Sequence, residues 1–403
     1  MVIRERIIEN VLNFMDEPVI KVLTGMRRSG KSILLEQIID ELINRGINRE
    51  NIIYINFESM RYEHLKDYVA LFDEVTRATK TVKGKIYLFL DEISEVNGWE
   101  NAVNTFRLDL DCDMTITGSN ARTLTNELDN LLKGRYVEIP IYPLDFKEYL
   151  EFAANNTQEA SFNLLEHFAH FLRLGGLPGI HNIKWEENIT VQYLSDIYNT
   201  VLLQDVVAPN KIRDVSLLEA IVQYILENVG NLYSAKTISD HLRSRGRKLS
   251  TETVYTYLNA LEDSYLIRKA PRYDIKARRL LETQEKYFLT DLGLRHALLG
   301  NRGDDISGLL ENVVYLELCR RGYTVKVGKQ GKVGVDFVAD RGDERLYAQV
   351  TYILNEDTTT REFRPLMSIA DHHEKLVITA DTGININLEG IRSKNILEFL
   401  MES

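Results

Sequence analysis

Cysteine is nearly absent from this chain. Cys112 and Cys319 are the two it has in 403 residues, too few for a disulfide framework and without the spacing of metal ligands. That excludes a stapled secreted scaffold and a zinc module, and it fits a reducing cytoplasm. Proline is scarce as well, at seven, and no low-complexity tract appears, so long disordered stretches are not expected. No segment approaches the roughly 18 uncharged apolar residues of a membrane span. The opening MVIRERIIENVLNF interrupts its apolar residues with charges, so neither export nor membrane insertion is expected. Positive charge is also in deficit: 49 Lys and Arg face 60 Asp and Glu, a net of −11. A surface that binds nucleic acid over its whole extent is thereby excluded.

What is present is the composition of a soluble globular protein, 44% hydrophobic and 27% charged. At roughly 150 residues per domain the length suggests two to four domains. The charge is uneven. From Lys211 to Gly300 there are 15 Lys and Arg against 11 Asp and Glu, a local +4 that leaves −15 for the rest. A modest basic island sits in an acidic chain.

The sharpest motif follows the β-prone run PVIKVLT. GMRRSGKS, residues 25–32, fits G-x-x-x-x-G-K-[ST], and SILLEQIIDELINRG then carries apolar residues near a helical period. Strand, glycine-bounded loop and helix in that order make a phosphate cradle. Glycines let backbone N–H groups turn onto phosphate oxygens at a helix N-terminus. The expected nucleotide contacts are Gly25, Met26, Arg27, Arg28, Ser29, Gly30, Lys31, Ser32 and Ile33. Lys31 places a point charge on the β and γ phosphates, and the Ser32 hydroxyl is a ligand for Mg²⁺. Arg27 and Arg28 are read equally well as phosphate contacts or as solvent-facing residues.

A second apolar run, KIYLFLDE, residues 85–92, reads as a buried parallel strand that ends in two carboxylates. This is the Walker B pattern: Asp91 would hold the metal and Glu92 would polarise the attacking water. A third strand, MTITGSN, ends at Ser119 and Asn120, which either touch the γ phosphate or simply form a strand-to-helix turn. Arg135, just before YVEIPIYPL, is read as a finger for transition-state charge, in its own subunit or a neighbour's, or as a solvated loop arginine.

Later segments read as helices in DFKEYLEFAANN and LLEHFAHFLRL, broken at GGLPG. His167 and His170 on the second helix lack the carboxylate or cysteine partners of a metal site. From residue 215 to 290 the order helix, helix, helix, strand, strand describes a winged helix-turn-helix. Its third helix turns Val254, Leu258 and Leu261 inward and Thr251, Glu252, Tyr255 and Asn259 outward. That outward face has no Lys or Arg, but Arg243, Arg245, Arg247 and Lys248 precede it. Arg268, Lys269, Arg272, Lys276, Arg278 and Arg279 follow along the wing, so phosphate contact without base reading is the form DNA binding would take. A protein-contact or spacer module is the other reading.

These motifs together resemble the prokaryotic AAA+-like ATPases whose P-loop domain is followed by a C-terminal domain of unknown function. The resemblance runs through GMRRSGKS, FLDEISEVNGWENAV, TGSN, LKGRYVEIPIYPLDFKEYL, LRLGGLPGI, YLSDIYNTVLLQDVV and KYFLTDLGLRHALLG. It implies a multidomain α/β architecture. An AAA+-like P-loop domain with a parallel sheet would occupy 1–144, a helical lid 145–212, a winged helix 213–300 and a restriction-endonuclease-like α/β domain 301–403. In the nuclease pattern Glu311, Asp336, Gln349 and Thr351 take the positions of the metal and water-activating groups. Gln349 brings no charge to a metal and Thr351 no ammonium, although a lysine such as Lys332 could substitute from elsewhere. A tail retired from cleavage is therefore expected.

The leading expectation is a cytoplasmic Mg²⁺-dependent ATPase, possessing an oligomer if Arg135 acts in trans, that drives an unidentified protein partner or duplex DNA. A DNA-binding regulator or defence switch with slow hydrolysis is the alternative, and an ATP-dependent nuclease a further one.

Overall fold

The computed structural model describes residues 2–120, 124, 132, 134–156, 163–281, 284–300 and 306–402. They divide into two compact units, Met1–Pro143 with Asp263–Tyr265, and Leu144–Glu262 with Leu266–Ser403.

The first unit is built on five parallel strands: β1 (Ile20–Thr24), β2 (Ile52–Asn56), β3 (Ile86–Asp91), β4 (Cys112–Gly118) and β5 (Tyr136–Pro140), in the order β2-β3-β4-β1-β5. Strands β1 and β3 are buried at every position, as their unbroken apolar runs require when helices cover both faces. Successive side chains then feed two separate cores. On one side Val22, Leu88, Leu90 and Ile116 pack with α3 (Tyr68–Thr79) and α4 (Trp99–Asp109) through Leu71, Val75, Val103 and Phe106. On the other, Leu23, Tyr87, Phe89 and Ile139 meet α1 (Glu5–Leu12) and α2 (Lys31–Asn44) through Val11, Leu34, Leu35 and Ile38. Each such side chain contributes about 1.5–3 kcal/mol by leaving water. Because all strands run one way, their C-terminal ends share an edge. Thr24 lies beside Gly118, and Asn56 beside Asp91. The loops after β1, β3 and β4 therefore open on one line.

The second unit begins with helices α5 (Phe146–Asn156), α6 (Leu164–Leu174) and α7 (Glu187–Thr200), the last continuing as a π-helical segment over Val201–Val207. Three further helices follow: α8 (Val215–Glu227), α9 (Ala235–Ser244) and α10 (Thr251–Asp263). Ser234 caps α9 in a reciprocal pair with Thr237, and the Ser250 hydroxyl accepts from Thr253 N at the start of α10. Strand β6 (Ile267–Ala270) pairs antiparallel with β9 (Lys286–Leu289), and α11 (Leu292–Leu299) and α12 (Ile306–Arg320) come next.

An eight-stranded sheet completes the unit in the order β14-β15-β13-β12-β11-β10-β7-β8. It holds β10 (Thr324–Gln330), β11 (Val333–Arg341), β12 (Glu344–Thr351), β13 (Glu374–Thr379), β14 (Asn387–Leu388) and β15 (Ile391–Asn395), with α13 (Glu356–Met367) against one face through Phe363 and Leu366. Its far edge comes from an earlier part of the chain. Strands β7 (Arg272–Asp274) and β8 (Arg279–Leu280) lie in the segment read as a wing, yet β7 runs parallel to β10, with Val327 beside Arg272. Segments 213–300 and 301–403 thus share one sheet. The backbone groups of β7 need ladder partners, and β10 supplies them along its open edge.

Candidate nucleotide site

The loop between β1 and α2 is shaped by its glycines. Gly25 has φ +149°, and a Cβ there would stand 2.2 Å from the Ile141 carbonyl oxygen, so no other residue fits. Gly30 caps α2, and Lys31 is the first helical residue. Arg28 holds a left-handed φ of +69° and points to solvent. Arg27 donates to Glu58 Oε1 at 2.9 Å, beyond β2. Ser32 is half-buried and Ile33 exposed.

Lys31 is nearly enclosed. Its ammonium donates to the Gly25 carbonyl at 3.2 Å and lies 3.3 Å from Glu92 Oε1. The loop is braced from behind by Arg4, which donates to Ser29 O at 3.2 Å and to Tyr142 O at 3.1 Å. The sequence carries no signal for Arg4, since neither contact is local.

Asp91 ends β3 with both carboxylate oxygens engaged. Thr117 Oγ1 donates to Oδ1 at 2.6 Å, while Tyr54 OH and Asn56 Nδ2 each donate to Oδ2 at 3.0 Å. Burial, followed by the Asp91 charge, pushes the Tyr54 phenol well above its usual range, so it stays a donor. Glu92 takes a left-handed φ of +53°. Its N–H donates to Thr117 Oγ1 at 2.8 Å, and its Oε2 accepts from Ser119 N at 3.1 Å. Ser119 and Asn120 are both buried at the end of β4. Ser119 meets Glu92 through its backbone. Tyr54, Asn56 and Thr117 escaped the sequence reading, because each looks like an ordinary strand residue until the register sets β2 and β4 beside β3.

Arg135 lies elsewhere. Its carbonyl accepts from Ile20 N at 3.0 Å, at the start of β1, and its side chain is exposed. The loop leaves the other end of β1, about 16 Å away at 3.3 Å per residue. Arg135 is therefore not brought together with Lys31, Asp91 and Glu92 in this structure.

The loop fits a polyphosphate: a glycine turn against Ile141, a helix N-terminus, an enclosed ammonium, and a buried Ser29 hydroxyl with no hydrogen-bond partner among the described residues. The Ser32 hydroxyl and the Asp91 carboxylate offer the hard oxygen donors that a magnesium ion takes.

Comparison with known proteins agrees with this geometry. Residues 17–150 match the model of an AAA domain, and residues 165–305 match a domain of unknown function, DUF8612. An uncharacterized protein of Haemophilus influenzae is 38% identical over 402 residues, covering 100% of this chain and 99% of its own. Another, MJ1544 of Methanocaldococcus jannaschii, is 31% identical over 86% of this chain and 77% of its own. The Walker-type ATPase PABY2304 of Pyrococcus abyssi shares the fold with a TM-score of 0.53 at 17% identity, over 73% of this chain and 93% of that one. The chain belongs to the family of the Haemophilus influenzae protein, and its N-terminal unit is an AAA-type P-loop ATPase domain.

Proposed function

We propose that the protein hydrolyses ATP with Mg²⁺ at the loop Gly25–Ser32 and uses its nucleotide state to act on a partner, with duplex DNA the first candidate. The observation that carries this reading is the gathering of Lys31, Asp91 and Glu92 at one sheet edge beside the glycine turn.

Backbone N–H groups from Gly25 to Ile33 cradle the phosphates, and Lys31 turns from Glu92 to the β and γ oxygens. Ser32 and Asp91 would hold Mg²⁺, which would supply positive charge to those oxygens. Glu92, released from Lys31, takes a proton from the attacking water, while Ser119 N–H and Thr117 fix its orientation. Ser119 and Asn120 stand where the γ phosphate would be sensed. Arg135, remote from its own loop, serves the site of a neighbouring copy.

For the C-terminal unit, Glu252, Tyr255 and Asn259 are exposed along α10, and Arg245, Lys248, Lys276, Arg278 and Arg279 are exposed on the segments beside it. That supports a winged helix that meets phosphates rather than base edges. Arg247 is committed to Ser216 Oγ and Arg243 to the Leu249 carbonyl, so those two serve the fold. The sheet carrying Asp336 and Gln349 supports a nuclease-like tail without cleavage. The Lys31–Glu92 contact also favours a second reading, a slow DNA-binding switch, because the contact must break before water is activated.

The test is Mg²⁺-dependent ATP turnover by the full chain, by Lys31→Ala and by Glu92→Gln, each with and without duplex DNA. Both substitutions should lower turnover by about 100-fold or more, and DNA should raise that of the wild type. Full turnover by Lys31→Ala would remove the site. Tight ATP binding with scarcely any turnover would favour the switch. Salt-dependent DNA affinity measured with ADP and with a nonhydrolysable analogue then tests the switch itself, since equal affinities would exclude it.

A further inference from the structure

Glu311 on α12 and Asp336 on β11 approach each other inside the C-terminal unit, but an ammonium stands between them. Lys286 Nζ, from β9, lies 2.5 Å from Glu311 Oε2 and 3.3 Å from Asp336 Oδ1. The lysine is 6% exposed. The sequence reading looked to Lys332 for a replacement ammonium, yet Lys332 sits exposed in the turn between β10 and β11. Lys286 comes instead from β9, which precedes α11, and the Asn312 side chain of α12 clasps that strand by accepting from Leu289 N at 2.7 Å and donating to Leu289 O at 2.9 Å.

Asp336, Gln349 and Thr351 have further hydrogen bonds of their own. Asp336 Oδ2 accepts from Val350 N at 3.0 Å. Gln349 accepts from Asp336 N at 2.7 Å and donates to Glu362 Oε2 at 2.9 Å. The Thr351 hydroxyl is turned to the Ile353 carbonyl at 3.3 Å. Burial and the Asp336 charge push the Glu311 carboxyl up to about 8, against the pull of Lys286. The ammonium of Lys286 stands against both carboxylates, which is how a buried group of charges is tolerated. A divalent cation would need the same two oxygens at about 2.0–2.6 Å and would face the Lys286 positive charge at contact distance. The residues present therefore do not fit a nuclease-type metal.

We propose that Lys286 is a built-in counter-ion that replaces the divalent cation between Glu311 and Asp336, so that the tail keeps its carboxylate pair while excluding metal. The proposal rests on the nuclease-like reading of the tail and is independent of ATP turnover.

It is tested on the full chain without nucleotide, at mildly alkaline pH, by following free Mn²⁺ through its electron paramagnetic resonance signal during titration. Wild type and Asp336→Asn should bind the same amount of Mn²⁺. Lys286→Met should bind one further ion per chain, and Lys286→Met with Asp336→Asn should lose it. If wild type holds an ion that Asp336→Asn loses, metal coexists with Lys286 and the counter-ion role is overturned while the nuclease-like reading stands. If Lys286→Met is folded by circular dichroism yet gains no ion, the carboxylate pair is no metal site and the nuclease-like reading fails as well. Should Lys286→Met not fold, Lys286→Gln takes its place in the same titration, with one further ion expected and no gain overturning the proposal.

Discussion

At the residue scale, one hydroxyl links the Asp91 carboxylate to the Glu92 backbone at the candidate nucleotide site. Thr117 Oγ1 donates to Asp91 and accepts from the backbone of Glu92, whose left-handed φ of +53° costs on the order of 1 kcal/mol and must be held. Thr117→Val keeps the shape and removes both bonds. It should lower kcat by about 10- to 100-fold, the equivalent of about 1–3 kcal/mol, with a much smaller change in affinity for a nonhydrolysable ATP analogue. A kcat within twofold of wild type would show that Glu92 is positioned by other means. Tyr54→Phe should be milder, because Asn56 still donates to the same Asp91 oxygen. The loop, Asp91 and Glu92 were legible from sequence because each is a local pattern. Thr117, Tyr54, Asn56 and Arg4 were not, because their importance depends on which strand or loop lies alongside.

At the element scale, two motifs that look unrelated in sequence prove to be one joint. In the GGLPG turn after α6, Gly176 N donates to Asp291 Oδ2 at 2.7 Å, and Asp291 also caps α11 by accepting from Gly293 N at 2.9 Å. A Cβ on Gly175 would stand 2.1 Å from Asp291 Oδ1, which explains the glycine at a φ of +75°. Helical periodicity locates α6 and α11 but says nothing of their meeting across 115 positions. The pairing of β7 with β10 was hidden for the same reason, since a three-residue strand read as a wing carries no mark of its partner. Burial lifts the Asp291 carboxyl from 3.8 to about 6, against its backbone donors. A folded-state pKa above the unfolded one adds stability at low pH that is lost as pH rises through about 6. Relative to Asp291→Asn, the wild type should therefore lose on the order of 1 kcal/mol between about pH 5 and 8, read from denaturant midpoints across that range. A difference that grows in favour of the wild type as pH rises would show that Asp291 is held ionised.

At the scale of the whole molecule, the described residues of the first unit set one ammonium, that of Lys31, against Glu92 at the candidate nucleotide site. Lys31 is enclosed there, Arg27 is taken by Glu58, and Arg28 faces solvent. Arg135 is exposed at the opposite end of β1 and β5 from the loop, a placement that suits service to another copy and not to its own. A sequence position just before a strand carries no mark of which end of the sheet it takes; the parallel register does. If Arg135 acts in trans, Arg135→Ala and Lys31→Ala should each be nearly inactive alone yet complement when assembled together. An intact loop from the first variant can then meet an intact Arg135 from the second. For random mixing of equal amounts around a closed heterologous ring, about a quarter of wild-type turnover should return. Absence of recovery, with nucleotide binding by Arg135→Ala unchanged, would exclude donation between copies. Normal turnover by Arg135→Ala alone would make the residue a solvated one at the sheet's far edge.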